Sequence, residues 1–195
     1  MNMRMSVVAA VVCAQWLAAS AAIAQELPTT IIRPGEDKLE IKRIPAPGGE
    51  VILPTRKDQL QNHDQYLYSA ARRAGDFVYL SGVIVGRLPG EGNDIEAFKG
   101  QLRRAYTTIV RNLKASGVTT ADIVDMQTLA VFGGADFKGD MTAELAAYAQ
   151  VKTEFIKPPY PTETLVGVKE LVEPGGLMEI RIIAYAPKRH RTHRR

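Results

Sequence analysis

Apolar residues recur along this chain at two spacings, and each spacing marks a different kind of element. Alternation over residues 162–169 and 177–185 predicts two strands joined by a Pro174-Gly175-Gly176 turn. Period-two geometry then puts Leu177, Glu179, Arg181 and Ile183 on one face of the second strand, and Met178, Ile180, Ile182 and Ala184 on the other. Upstream, Ile95, Phe98, Leu102, Tyr106, Ile109, Val110 and Leu113 follow three- and four-residue steps, which predicts a helix capped by Asn93 or Asp94 and ended by Gly117. A second helix is predicted over 137–156, with Met141, Leu145, Tyr148, Val151 and Phe155 facing inward. Residues 122–132 read as a long strand, and residues 67–71 and 76–81 read as a hairpin around Arg73-Ala74-Gly75. Pro158, Pro159 and Pro161 forbid helix and deliver the chain to its last strands.

The order strand, strand, helix, strand, helix, strand, strand is that of an α+β domain, with both helices free to cover one face of a mixed sheet. Residues 25–64 are rich in Pro, Gly and charge, with short alternations at Leu39-Glu40-Ile41 and Val51-Ile52-Leu53. They read as an N-terminal extension that adds an edge strand or wraps a neighbour, before a domain spanning 65–187.

The ends have their own character. Arg4 precedes an apolar run over residues 7–19, and Ala22-Ile23-Ala24 offers the small residues a signal peptidase accepts, so residues 1–24 read as an export signal. The run is short for a membrane span, and the expected destination is a periplasm or the medium, with no span left after cleavage. The one cysteine, Cys13, would leave with the signal, which excludes disulfides and thiol chemistry from the mature chain. The formal net charge of +4 is a matter of the tail: six of the 25 basic residues lie in the signal or the last eight positions, leaving 19 against 21 acidic ones. Residues 188–195, KRHRTHRR, read as a solvated, disordered terminus, although clustered cations also gain by releasing counterions from a polyanion. An ordered metal site at His190 and His193 would have to overcome the entropy of the tail.

Candidate chemistry sits on the last strand, where a carboxylate and a guanidinium project from one side of an otherwise apolar segment and need a partner, a ligand or water. The sequence Met178-Glu179-Ile180-Arg181-Ile182-Ile183-Ala184, preceded by Pro161-Thr162-Glu163-Thr164, resembles the end of the Rid/YjgF (RidA) family of reactive-intermediate deaminases. Members commonly read P-x-R-[ST] and then a strand like I-E-I-E-x-I-A. The resemblance extends through Tyr68, Phe77-Val78-Tyr79-Leu80-Ser81-Gly82, Gln101 and the turn and strand over residues 117–124. It implies a chorismate-mutase-like fold, assembled as a homotrimer whose sheets form a central barrel and whose clefts for small metabolites lie between subunits. It implies no cofactor and no metal.

In the family, the arginine of P-x-R-[ST] grips the carboxylate of a 2-imino acid, and the glutamate of the last strand handles the water that converts the imine to a 2-oxo acid and ammonia. Glu179 matches that glutamate, and Glu163 stands where the arginine belongs. A carboxylate there would repel a substrate carboxylate. Arg181, two positions after Glu179, suggests a relocated guanidinium, alone or salt-bridged to Glu163. Two functions follow as expectations: a hydrolytic deaminase of imines and enamines acting through Glu179, or a trimer that binds a small amine or acid without turning it over. If Glu163 and Glu179 both face the cleft, the second reading favours a cationic amine. The resemblance adds Tyr68 and Ser81 as cleft residues, although Tyr68 reads equally as a packed strand tyrosine and Ser81 as a turn former. Tyr160 reads as a rim aromatic or a packed one. Specific nucleic-acid binding lacks the interleaved basic and aromatic surface it needs, and neither a phosphate-cradling GxxxxGK[ST] nor an HExxH occurs.

Overall fold

The computed structural model describes residues 30–187. The expected signal, Cys13 and the basic tail with His190 and His193 lie outside the described residues. Seven strands form one mixed sheet: β1 (Lys42–Ala46), β2 (Gly49–Leu53), β3 (Ala71–Ala74), β4 (Phe77–Gly86), β5 (Ile123–Ala130), β6 (Thr162–Gly167) and β7 (Gly176–Tyr185). Their spatial order is β1-β2-β3-β4-β7-β5-β6. Among the described residues two α-helices, α1 (Ile95–Ala115) and α2 (Met141–Phe155), complete the α+β architecture.

The segment read as an extension supplies β1 and β2 and, from Asp58–Gln65, most of a π-helix that holds His63. Gly48 turns the first hairpin at φ +77°, a conformation that a side chain resists. Leu39-Glu40-Ile41 stays outside the sheet, with Leu39 and Ile41 exposed. The hairpin ahead of β4 begins later than predicted, because Leu67 takes a positive φ and residues 68–70 are not strand.

The last two strands do not form a ribbon. β5 lies between them, parallel to β6 and antiparallel to β7, so Pro174-Gly175-Gly176 ends a crossing connection and not a tight hairpin. The reason is in the side chains. Met178, Ile180, Ile182 and Ala184 are fully buried beneath the helices, and β7 needs strand partners on both sides, which β4 and β5 provide.

Asp94 caps α1 by accepting hydrogen bonds from the Glu96 and Ala97 amides at 3.1 and 2.9 Å. Phe98, Leu102, Tyr106, Ile109 and Leu113 enter the core, whereas Val110 is exposed. α2 starts four residues later than predicted, capped by Asp140. Phe137 packs on Phe98 with ring centroids 5.1 Å apart. Met141 points to solvent, and Glu144 takes an inward position that the pattern did not assign. Tyr106 stacks on Phe155 at 5.1 Å, locking the two helices together. No helix among the described residues is long and apolar enough to cross a membrane.

Candidate functional site

Glu179 projects from the sheet face away from the helices, opposite Ile84 of β4 and Leu129 of β5. The adjoining stretch of β4 is bulged. Leu80 pairs with Ile182 and Val83 with Ile180, so three steps on β4 run against two on β7. The bulge consists of Ser81 and Gly82, and Gly82 makes room for the glutamate. A Cβ at residue 82 would lie 1.8 Å from Glu179 Oε1 and 2.5 Å from its Cδ, a separation no side chain can accept.

On β4 only Phe77 to Leu80 pair with β3, and among the described residues no strand lies beside the rest of β4 on that side. A crevice of about 520 Å3 opens there, with Tyr66, Tyr68, Ser81, Ile84, Glu173 and Glu179 among its walls. Ser81 is anchored by its amide to the Ala70 carbonyl at 3.1 Å, and its hydroxyl donates to the Ser69 carbonyl at 2.7 Å. The lone pairs of that hydroxyl remain able to accept. Glu173 is fixed by the Thr30 amide and hydroxyl, which donate to its Oε2 at 2.9 and 2.8 Å.

Burial raises the pKa of Glu179, which makes its carboxyl a proton acceptor or donor nearer neutral pH than an ordinary glutamate. Tyr68 is pushed up to about 12 by burial and by the carboxylates of Asp58, Glu173 and Glu179, so it stays a phenol that donates a hydrogen bond. The crevice therefore combines a proton-handling carboxyl, a second carboxylate, phenols and an apolar wall. No Lys, Arg or His is among the described residues lining it.

The expected partners of Glu179 lie elsewhere. Glu163 pairs in register with Met126 of β5 and so faces the helix layer, on the opposite side of the sheet from Glu179. Its carboxylate accepts from Lys152 Nζ at 2.5 Å, from Thr128 Oγ1 at 2.9 Å and from the Tyr148 hydroxyl. Burial alone would raise its pKa. The bonds from Lys152 and Tyr148, the Lys152 charge and the Thr128 bond outweigh burial and hold it below the usual glutamate range. Two expectations are thereby overturned within the subunit: Glu163 forms no unit with Arg181, and the two glutamates do not share a cleft. The reason is strand alternation combined with a lysine in the last turn of α2, neither visible from the motif alone. Arg181 shares the face of Glu179 but is exposed and outside the crevice. Tyr160 is exposed just ahead of β6, at the far edge of the sheet. Gln101 is buried in α1 and donates to the Gly92 carbonyl at 3.3 Å.

Tyr68 and Ser81 do line the same crevice as Glu179. The sequence reading missed Tyr66, Gly82 as the seat of the glutamate, and Glu173. Tyr66 stands two positions from Tyr68, and Glu173 immediately precedes the Pro-Gly-Gly turn, but nothing in their spacing shows that the chain folds them back onto β7. Among the described residues, no three His, Cys, Asp or Glu side chains are grouped to hold a metal ion.

Known proteins resemble this chain in sequence and fold. Residues 63–186 match the model of a family described as endoribonuclease L-PSP. The RutC family protein YjgH of Escherichia coli strain K12 is 35% identical over 138 residues, covering 70% of this chain and 95% of the relative. A solved structure of protein YjgH superposes with a TM-score of 0.52 at 31% identity, over 66% of this chain and 90% of that one. A YjgF/YER057c/UK114 family member from Mycobacterium tuberculosis gives 0.51 at 27% identity, over 65% of this chain and 92% of that one.

Proposed function

Because the chain belongs to the endoribonuclease L-PSP family, the Rid/YjgF proteins, we propose that it hydrolyses small imines through Glu179, and that its preferred substrates carry no carboxylate beside the C=N bond. The observation that carries this reading is the seating of Glu179 against Gly82 in a crevice whose charged lining residues are both acidic. Carboxylates within a few Å stabilise a protonated iminium and repel a 2-imino acid.

The step balances with water alone. Glu179 takes a proton from water as the oxygen adds to the iminium carbon, giving a carbinolamine. Return of that proton to nitrogen lets the C–N bond break as Glu179 takes the remaining hydroxyl proton, which leaves a carbonyl compound and ammonia; that last proton then passes to the ammonia, which departs as ammonium. Tyr68 donates a hydrogen bond that orients the reacting group, and Ser81 accepts one. The family's descriptive name refers to ribonuclease activity, yet carboxylates at the crevice suit a phosphodiester poorly.

We further propose that the chain assembles as a homotrimer. The face of the sheet that bears Glu179 also carries Phe77, Tyr79 and Tyr185, each more than one-third exposed, which is costly for a lone subunit. A neighbour packed there would complete the crevice. Export, with cleavage after Ala24, is proposed as well, and N-terminal sequencing of protein recovered from the cell envelope would check it.

Ammonia release decides the activity. Imines generated in place by an amine oxidase should be hydrolysed faster than 2-iminobutanoate and 2-iminopropanoate generated by an amino-acid oxidase, and Glu179→Gln should lower the rate by about 100-fold or more. A rate indifferent to Glu179→Gln rejects the hydrolytic reading. The second reading, capture of a cationic amine without turnover, is favoured by the same acidic pair; calorimetry showing tight binding of acids and none of amines would reject it.

A further inference from the structure

The bulged edge of β4 has a second side. Toward α1 lies a cavity of about 40 Å3, bounded by Arg104, Thr108 and Arg111 of α1, by Asp58 and Asn62 of the π-helix, and by Thr30, Ile31 and Ile32. It shares Thr30, Tyr68, Ser81, Gly82 and Ile84 with the crevice, so the two spaces abut around one strand edge. Much of its wall comes from residues before position 63, outside the family match.

Three of its residues present buried side-chain atoms with no hydrogen-bond partner: Arg104 Nε, Arg111 Nη1 and Asn62 Oδ1. Arg111 is 9% exposed and Asn62 is 6% exposed. A buried polar atom is costly unless something bonds to it, so three around one space mark a place for a hydrogen-bonding occupant. Their other atoms are already committed. Arg111 donates to Asn112 Oδ1 at 3.1 and 2.9 Å and faces Asp58 at 3.6 Å. Arg104 grips Glu91 and donates to the Gly86 carbonyl at 2.6 Å. Asn62 Nδ2 donates to Asp58 Oδ1 at 3.0 Å, which fixes the amide with its oxygen as the free acceptor.

Charge selects the occupant. Glu91 matches Arg104 and Asp58 matches Arg111, so an anion or cation would bring an uncompensated charge into a buried site. The site offers two donors and one acceptor, which suits a neutral molecule that both donates and accepts. At about 10–15 Å3 per water by this measure, the space holds about three. We propose that this cavity is a hydration site for a short chain of ordered waters, continuous with the crevice around Ser81, and that it is the reservoir on which Glu179 draws. The reservoir role alone rests on the hydrolytic reading.

A crystal structure at atomic resolution, from crystals soaked in bromide, tests the site. Waters bonded to Arg104 Nε, Arg111 Nη1 and Asn62 Oδ1 are expected; a bromide at Arg111 or a dry cavity overturns it. The link to the crevice is read without any activity assay, by carbon-13 titration of Glu179 in Asn62→Leu and in Ala105→Val, which fills the same space from α1. Withdrawal of water should raise the Glu179 pKa by about half a unit or more in whichever variant retains the native circular dichroism. An unmoved titration in a filled, folded variant overturns the link, whereas failure of imine hydrolysis shows separately in the Glu179→Gln comparison.

Discussion

Glu144 is the residue most out of keeping with its surroundings. It is fully buried on α2, both carboxylate oxygens lack hydrogen-bond partners, and burial pushes its pKa from 4.5 to about 7. A carboxyl raised on folding binds its proton more tightly in the native state. Its penalty is absent below about pH 4.5, grows as pH rises toward 7 and is fully present above that. Glu144→Gln should therefore gain stability relative to wild type between about pH 4 and pH 8, by on the order of 3 kcal/mol, measured by urea unfolding at each pH. Glu163 is the opposite case: its depressed pKa contributes stability above the ordinary glutamate range that is lost as pH falls through the folded value. Gly82→Ala separates site from fold. The clash falls on the free end of the Glu179 side chain, so the unfolding free energy should change by less than about 1 kcal/mol while imine hydrolysis drops to the Glu179→Gln level. A melt far below wild type would show instead that residue 82 is structural.

At the scale of elements, β4 does the positioning. Its first four residues are held between β3 and β7, the bulge then swings Ser81 and Gly82 to the glutamate, and the remainder, paired with β7 alone, makes one edge face two spaces. The helix beneath depends on its cap. Asp94→Ala removes the acceptor for two amides and should cost about 1 kcal/mol, a fall of several degrees in Tm by calorimetry, with Glu179 still seated. Sequence periodicity located α1 almost to the residue because cap, apolar spacing and Gly117 all agree. It misjudged α2, where Glu144 stands on the inner side and Met141 on the outer. It also joined β6 to β7, since sequence adjacency says nothing about which strand will be inserted between them.

For the whole molecule, the two faces of the sheet have different fates. One is closed by α1 and α2, while the other carries Glu179 together with half-exposed aromatics. If copies of the chain cover that second face, Tyr79→Glu, which puts a charge among Phe77, Tyr185 and Ile183, should shift the assembly toward monomer in analytical ultracentrifugation while leaving the protomer folded. A trimer that survives the substitution would place the interface elsewhere.

The amino-acid sequence by itself determined the α+β class, the alternation of β7, the helix at 95–115 and the candidacy of Glu179, because these depend on local spacing and on side-chain type. Only the tertiary structure decided the partners. It inserted β5 between the final strands, turned Glu163 toward Lys152, left Arg181 outside the crevice and brought Glu173, Tyr66 and Gly82 to the glutamate. The physical reason is that the face on which a side chain lies is set by local period, whereas what it meets there is set by strand order and by the packing of segments distant in the chain.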